Sequence, residues 1–159
     1  MSGSTPLVLS EKRAFGRFQV SEPYPTFGSA SPSLAIPVAP AFINLASAAL
    51  TLDPGTAKVW MNGTAGWYAT FSATGVAEAT FQILRDGVVI YETSQSVNSP
   101  TAVAAPVAVH NVAWCEHVDT LPLAYPTRVT YTLRAYASVT GVFTAGPVTF
   151  SLAEIEGGT

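Results

Sequence analysis

The amino-acid sequence predicts an all-β protein: an antiparallel β-sandwich of jelly-roll type with an extended N-terminal arm. Three observations carry this. From about residue 56 onward, short alternating apolar and polar runs are broken by Gly, Pro or Asn about every 8 to 12 residues, the rhythm of a sandwich or barrel. Within that region "ATFQILRDGVVIYET" centres on Asp86-Gly87, the residue pair that supplies the two positive-φ positions of a type I′ hairpin turn. No segment shows a helical stripe.

Residues 1–46 read as the arm and 47–159 as the sandwich domain. The stretch "SEPYPTFGSASPSLAIPVAP" carries five prolines and keeps neither a helix nor a strand period. Its short apolar pieces are extended, but few of them suit the middle of a sheet. Ordering such a segment costs about 1 to 2 kcal/mol per residue, so it must be paired and packed along nearly its whole length. The anchors available are Leu7, Leu9, Phe15, Phe18, Val20, Tyr24, Phe27, Leu34, Ile36, Phe42 and Ile43. One reading folds the arm back on its own sandwich. The other sends it to a neighbouring copy, where it adds a strand to an open edge, and makes these anchors partner-binding residues.

A lead-in strand is expected near 47–52, followed by strands at 57–62 and 66–72 with Asn62-Gly63-Thr64 as the turn between them. In the hairpin, Phe81 and Ile83 are expected to share a face with Val88 and Ile90, and Gln82 and Leu84 to lie opposite with Val89 and Tyr91. Strands at 102–109 and 112–118 come next. In "RVTYTLRAYAS", Val129, Tyr131, Leu133 and Ala135 form the core face. The last strand starts after Gly146-Pro147 and points Val148, Phe150 and Leu152 inward.

Composition narrows the function. Charged residues make up 11% of the 159 positions and apolar ones 48%, with a net charge of −3. Such sparse charge suits a chain whose neighbours cover apolar surface. The seven Lys and Arg are scattered, which argues against nucleic acid as a partner. No apolar run approaches the ~18 to 20 residues of a membrane span. The N-terminus lacks the pattern of a secretory signal. A single cysteine rules out an internal disulfide framework.

One cluster carries reactive side chains, "VHNVAWCEHVD". On a strand, Cys115, His117 and Asp119 point the same way and His110 adjoins them, so a metal or Cys-His site is conceivable. The plainer reading makes Cys115 a small core residue and the histidines hydrogen-bonded surface groups. There is no nucleophile elbow, phosphate loop or zinc helix. We therefore expect no enzyme activity, no cofactor and no metal. In "VWMNGTAGWYATF", Trp60, Trp67 and Tyr68 raise the question of a sugar-stacking platform. The structural reading buries Trp67 and Phe71 and leaves Trp60 and Tyr68 as surface aromatics.

Two pieces resemble a known group. "FQILRDGVVIYET" is similar to the hairpin Phe-x-Ile-x-Arg-Asp-Gly of small β-sandwich proteins of bacterial endospore surfaces, of the exosporium protein C type. "HVDTLPLAYPTRVTYTLRAYAS" resembles a segment preceding a late strand in those proteins and in some phage and complement-like jelly rolls. With "AKVWMNGTAGWYATF", the resemblance covers residues 56–155. It implies a spore-surface or extracellular subunit made without a secretory signal. It also implies joining of copies through N-terminal extensions and strand exchange, as in endospore appendage fibres. The chain departs in having Leu121-Pro122-Leu123-Ala124-Tyr125-Pro126 where Pro-Pro and Gly are expected. It also lacks the cross-linking cysteines of some appendage subunits.

The function expected from the sequence is therefore a self-assembling structural subunit of a filament or layer, whose partners are copies of itself. A phage or virion structural or decoration protein is the alternative of the same class. A carbohydrate-binding module is the alternative of another.

Overall fold

The computed structural model describes residues 15–52, 58–100, 104–122 and 128–155. The chain forms two antiparallel sheets packed face to face, the all-β sandwich that the alternation predicts. Its strands are β1 (Phe15–Tyr24), β2 (Leu34–Ala35), β3 (Ile43–Thr51), β4 (Lys58–Phe71), β5 (Val76–Arg85), β6 (Val88–Asn98), β7 (Val107–Thr120), β8 (Arg128–Ala137), β9 (Val142–Thr144) and β10 (Val148–Ile155).

In the six-stranded sheet, β4 is the organiser. Its whole length pairs with β7 on one side. On the other it pairs first with β10 and then, at Tyr68 and Ala69, with β9. Beyond these, β1 adds to β10 and β2 to β9. The second sheet runs β3-β8-β5-β6. The core lies between the sheets, where Val129, Tyr131, Leu133 and Ala135 of β8 meet Val148, Phe150 and Leu152 of β10, all fully buried as the alternation requires. Trp67 and Phe71 join them, and Trp67 Nε1–H donates to Gln95 Oε1 (3.1 Å) across the sandwich.

Two strands run through residues that read as turns. β4 is continuous over the expected Asn62-Gly63-Thr64 turn. Gly63 is there for packing: a Cβ at this position would lie 3.3 Å from Leu133 Cδ2 and 3.5 Å from Phe150 Cδ2. β7 likewise replaces the two strands expected around His110 and Asn111. Asn111 turns its Oδ1 onto the N–H of Val112 (2.8 Å) instead of breaking the strand.

The hairpin turn forms at Asp86 (φ 45°) and Gly87 (φ 85°). Its register differs from the simple expectation. Leu84 faces Val89, but Ile83 faces Tyr91, because a bulge intervenes. One extra residue inverts every later face. Phe81 and Ile83 are buried, and Val88 and Val89 are exposed.

From Phe15 onward the segment expected as an arm is built into its own sandwich. β1 pairs with β10, β2 with β9 and β3 with β8, so the expected boundary at residues 46/47 falls inside β3. The prolines take permitted places: Pro25, Pro32, Pro37 and Pro40 lie outside the strands, and Pro23 lies at the end of an edge strand.

Phe150→Ala should lower unfolding free energy by about 3 to 5 kcal/mol in chemical denaturation, as expected for a fully enclosed aromatic ring. Val88→Thr at the exposed hairpin tip should stay within about 0.5 kcal/mol. Equal effects would contradict the inward place of Phe150 and the outward place of Val88.

Candidate functional site

The anchors expected to bind a partner divide into two groups. Ile36 is buried, and Tyr24, Leu34 and Ile43 are half-buried against their own domain. Phe18 (56% exposed), Val20, Phe27 (68%) and Phe42 turn outward, and the Arg134 guanidinium lies 4.1 Å over the Phe42 ring. Leu7, Leu9 and the side chain of Phe15 lie outside the described residues.

The strand alternation of β4 and β7 sorts the chemistry-bearing residues by face. Inward go Cys115 and Asp119, with His117 half-buried beside them. Burial pushes the Cys115 thiol up to about 11, which keeps it protonated and unreactive. His117 packs its ring on Tyr91 at 5.3 Å. Asp119 accepts two hydrogen bonds from Arg85 Nη1 (2.8 and 3.0 Å) and one from the Tyr131 hydroxyl (2.7 Å). These three residues come from β7, β5 and β8, so the carboxylate ties the two sheets together. Among the described residues no group of three or more His, Cys, Asp or Glu is placed to hold a metal ion.

Outward go Trp60, Tyr68, His110, Val112, Trp114, Glu116 and Val118. Trp60 Nε1–H donates to Glu116 Oε1 (2.9 Å). Trp60 and Tyr68 are eight residues apart on one strand, about 26 Å at ~3.3 Å per residue. Trp67 points into the core. The three rings considered for sugar stacking therefore form no single platform.

A cleft of about 360 Å³ opens on this outer face. The turn between β9 and β10 creates it by folding over β4 at Gly66. Gly66 N–H donates to Pro147 O (2.7 Å), and the Thr144 hydroxyl donates to Gly66 O (2.6 Å). The approach is so close that a Cβ on Gly66 would sit 2.5 Å from Gly146 O. The loop after β1 is then pinned to this turn, with Gly28 N–H and Ala30 N–H both donating to Ala145 O. This brings Phe27 edge-on to His110 (5.5 Å). Tyr68 contacts His110 (5.0 Å) on one side and stacks on Phe143 (5.4 Å) on the other. Val112 and Pro147 complete the apolar wall. Sequence reasoning named Phe27, Tyr68 and His110 separately but could not bring them together, because a loop and two strands supply them.

β7 also ends the sheet: among the described residues it pairs only with β4. It presents Val112 (52% exposed), Trp114 (67%) and Val118 along this open edge.

No protein family and no curated protein matches the sequence. Solved structures with a similar course of chain include one from the T13 IBDV viral particle, at 12% identity and a TM-score of 0.49 over 87% of this chain and 31% of that one. Another is dimeric latent PorU from Porphyromonas gingivalis, at 12% identity and a TM-score of 0.47 over 89% and 13% respectively. The chain thus spans less than a third of either structure.

Asp119→Ala removes the carboxylate that accepts from Arg85 and from the buried Tyr131 hydroxyl, and should destabilise the fold by about 3 kcal/mol. The native Cys115 thiol should resist a disulfide reagent at pH 8 and react promptly once the chain is unfolded. Prompt reaction in the native state would show that β7 does not seal the core. Thiol burial also makes stability fall as pH rises above 9, because the unfolded thiol releases its proton before the folded one does.

Proposed function

We propose that this chain is a non-enzymatic structural subunit that assembles with copies of itself by covering the outer face and open edge of the six-stranded sheet. The observation that carries this is β7. It is an edge strand of 14 residues without Lys, Arg or Pro, exposing Val112, Trp114 and Val118. A long apolar edge of this kind is a template for a further strand. The other edge strands are shorter than β7, and β1, β3 and β6 are interrupted. β1 contains Arg17, Glu22 and Pro23 and two register shifts, and β3 carries a bulge. β6 carries Glu92 and three serines or threonines in its middle, and its pairing with β5 is interrupted by a bulge.

The sparse charge of the whole chain supports the same reading. Because the leading segment from Phe15 is paired within its own domain, exposed Phe18 and Val20 would contribute as side chains rather than as an exchanged strand. The setting proposed for the assembly is a spore-surface or extracellular layer, on the support of the resemblance over residues 56–155.

Sedimentation velocity and negative-stain microscopy of the full chain across a concentration series test this. Association should grow with concentration and yield ordered particles. A strictly monomeric chain at every concentration removes the proposal.

A further inference from the structure

The edge strand also states how a second copy would fit. Gly66 N–H goes to Pro147 O and Thr70 N–H to Gly141 O, both on the side of β4 away from β7. The pairs Gly66–Val112 and Thr70–Ala108 are therefore the non-hydrogen-bonded pairs of the β4–β7 ladder. At those positions β7 turns its N–H and C=O groups outward. By alternation His110, Trp114, Glu116, Val118 and Thr120 do the same, and their side chains lie on the outer face. The Val112 amide donates to Asn111 Oδ1 (2.8 Å), a bond that pairing with a further strand must replace.

We infer that two copies join β7 to β7 about a two-fold axis beside Ala113, so that Trp114 of each copy seats against Val112 and the aromatic cleft of the other. This rests on the self-assembly reading and specifies its contact. An antiparallel pair of identical strands is self-complementary. Its register is fixed by the outward groups and by charge. Centring on Glu116 would set two carboxylates directly opposite each other, which is destabilising. Centring on Trp114 would oppose Glu116 to Val112, and centring on Val112 would oppose it to Ala108. Centring on Ala113 alone sets Glu116 against His110, whose imidazole N–H can donate to the carboxylate.

That same register places Trp114 opposite Val112. Val112 is a wall of the cleft, beside His110, Tyr68, Phe27 and Pro147. A cleft of about 360 Å³ has room for an indole, and its open apolar lining matches one. The most exposed tryptophan on the sheet and the cleft one row away thus complete each other across the axis. The two six-stranded sheets become one continuous sheet, and the β7 edge of each copy is covered.

The full chain is compared with four variants by sedimentation equilibrium, with folding checked by circular dichroism. Trp114→Ala and His110→Glu should each weaken dimerisation by about tenfold or more. Adding Glu116→Lys to His110→Glu should restore most of the lost affinity, because the reversed charges again face each other. Val89→Lys, at the hairpin tip of the other sheet, should leave dimerisation unchanged. Wild-type association that persists undiminished in Trp114→Ala and His110→Glu overturns this contact while leaving the self-assembly reading intact. A monomeric wild type removes both.

Discussion

The six-stranded sheet depends on one close approach, the contact of the β9–β10 turn with β4 at Gly66. β4 is longer than any single partner on the side away from β7, so two strands must share it. β10 covers Lys58 to Ala65 and β9 covers Tyr68 and Ala69. At the changeover the backbone of Gly146 and Pro147 lies over the strand, where no side chain fits. The bonds Gly66 N–H to Pro147 O and Thr144 Oγ1–H to Gly66 O replace the ladder bonds that the changeover interrupts. The turn in turn holds the loop that carries Phe27. The cleft, the aromatic contacts around His110 and the place of β2 all follow from that glycine.

The alternating core was legible because it is local. β8 repeats the period of two without interruption and β10 keeps it from Val148 to Leu152, and every residue expected inside is inside. The departures share one cause, that a residue type has several uses and the sequence does not say which. Gly63 read as a turn because glycine favours turns, yet it sits within β4, where a Cβ would crowd Leu133 of the opposite sheet. Asn111 read as a break because asparagine bonds to nearby backbone. It does so here, but on behalf of an edge amide within a strand. The hairpin bulge escaped notice because neither Ile83 nor Ile90 marks an extra residue. The cleft was invisible for a different reason: its walls lie far apart in sequence, and only the pairing of β4 with both β7 and β9 assembles them.

The reactive-looking run "HNVAWCEHVD" is occupied by structural work on its inner face. Asp119 has three charge-assisted or hydroxyl bonds to two strands of the opposite sheet, and Cys115 is enclosed among apolar side chains. A carboxylate so placed would be costly without Arg85 and Tyr131, and with them it fixes the alignment of one sheet on the other. The outer face of the same strand carries only the Trp60–Glu116 hydrogen bond and the ring contacts of His110 among the interactions described. Function is therefore to be sought on that face.

Among the described residues the first and last strands are partners, so the segment from Phe15 is paired within its own domain. β1 must wait for β10, which comes after every other described strand in the sequence. Until β1 docks, β10 offers an open ladder that any β1 would fit. The chain's own β1 is tethered to the domain, which gives it an effective concentration in the millimolar range, above that of a β1 from a dilute second copy. Intramolecular closure therefore wins whenever the connection through β2 and β3 can span the distance, and the bonds of Gly28 and Ala30 to Ala145 show that it does. β7 is under no such rule. Among the described residues its outward groups pair with no further strand, so the contact proposed for it would depend on concentration rather than on connectivity.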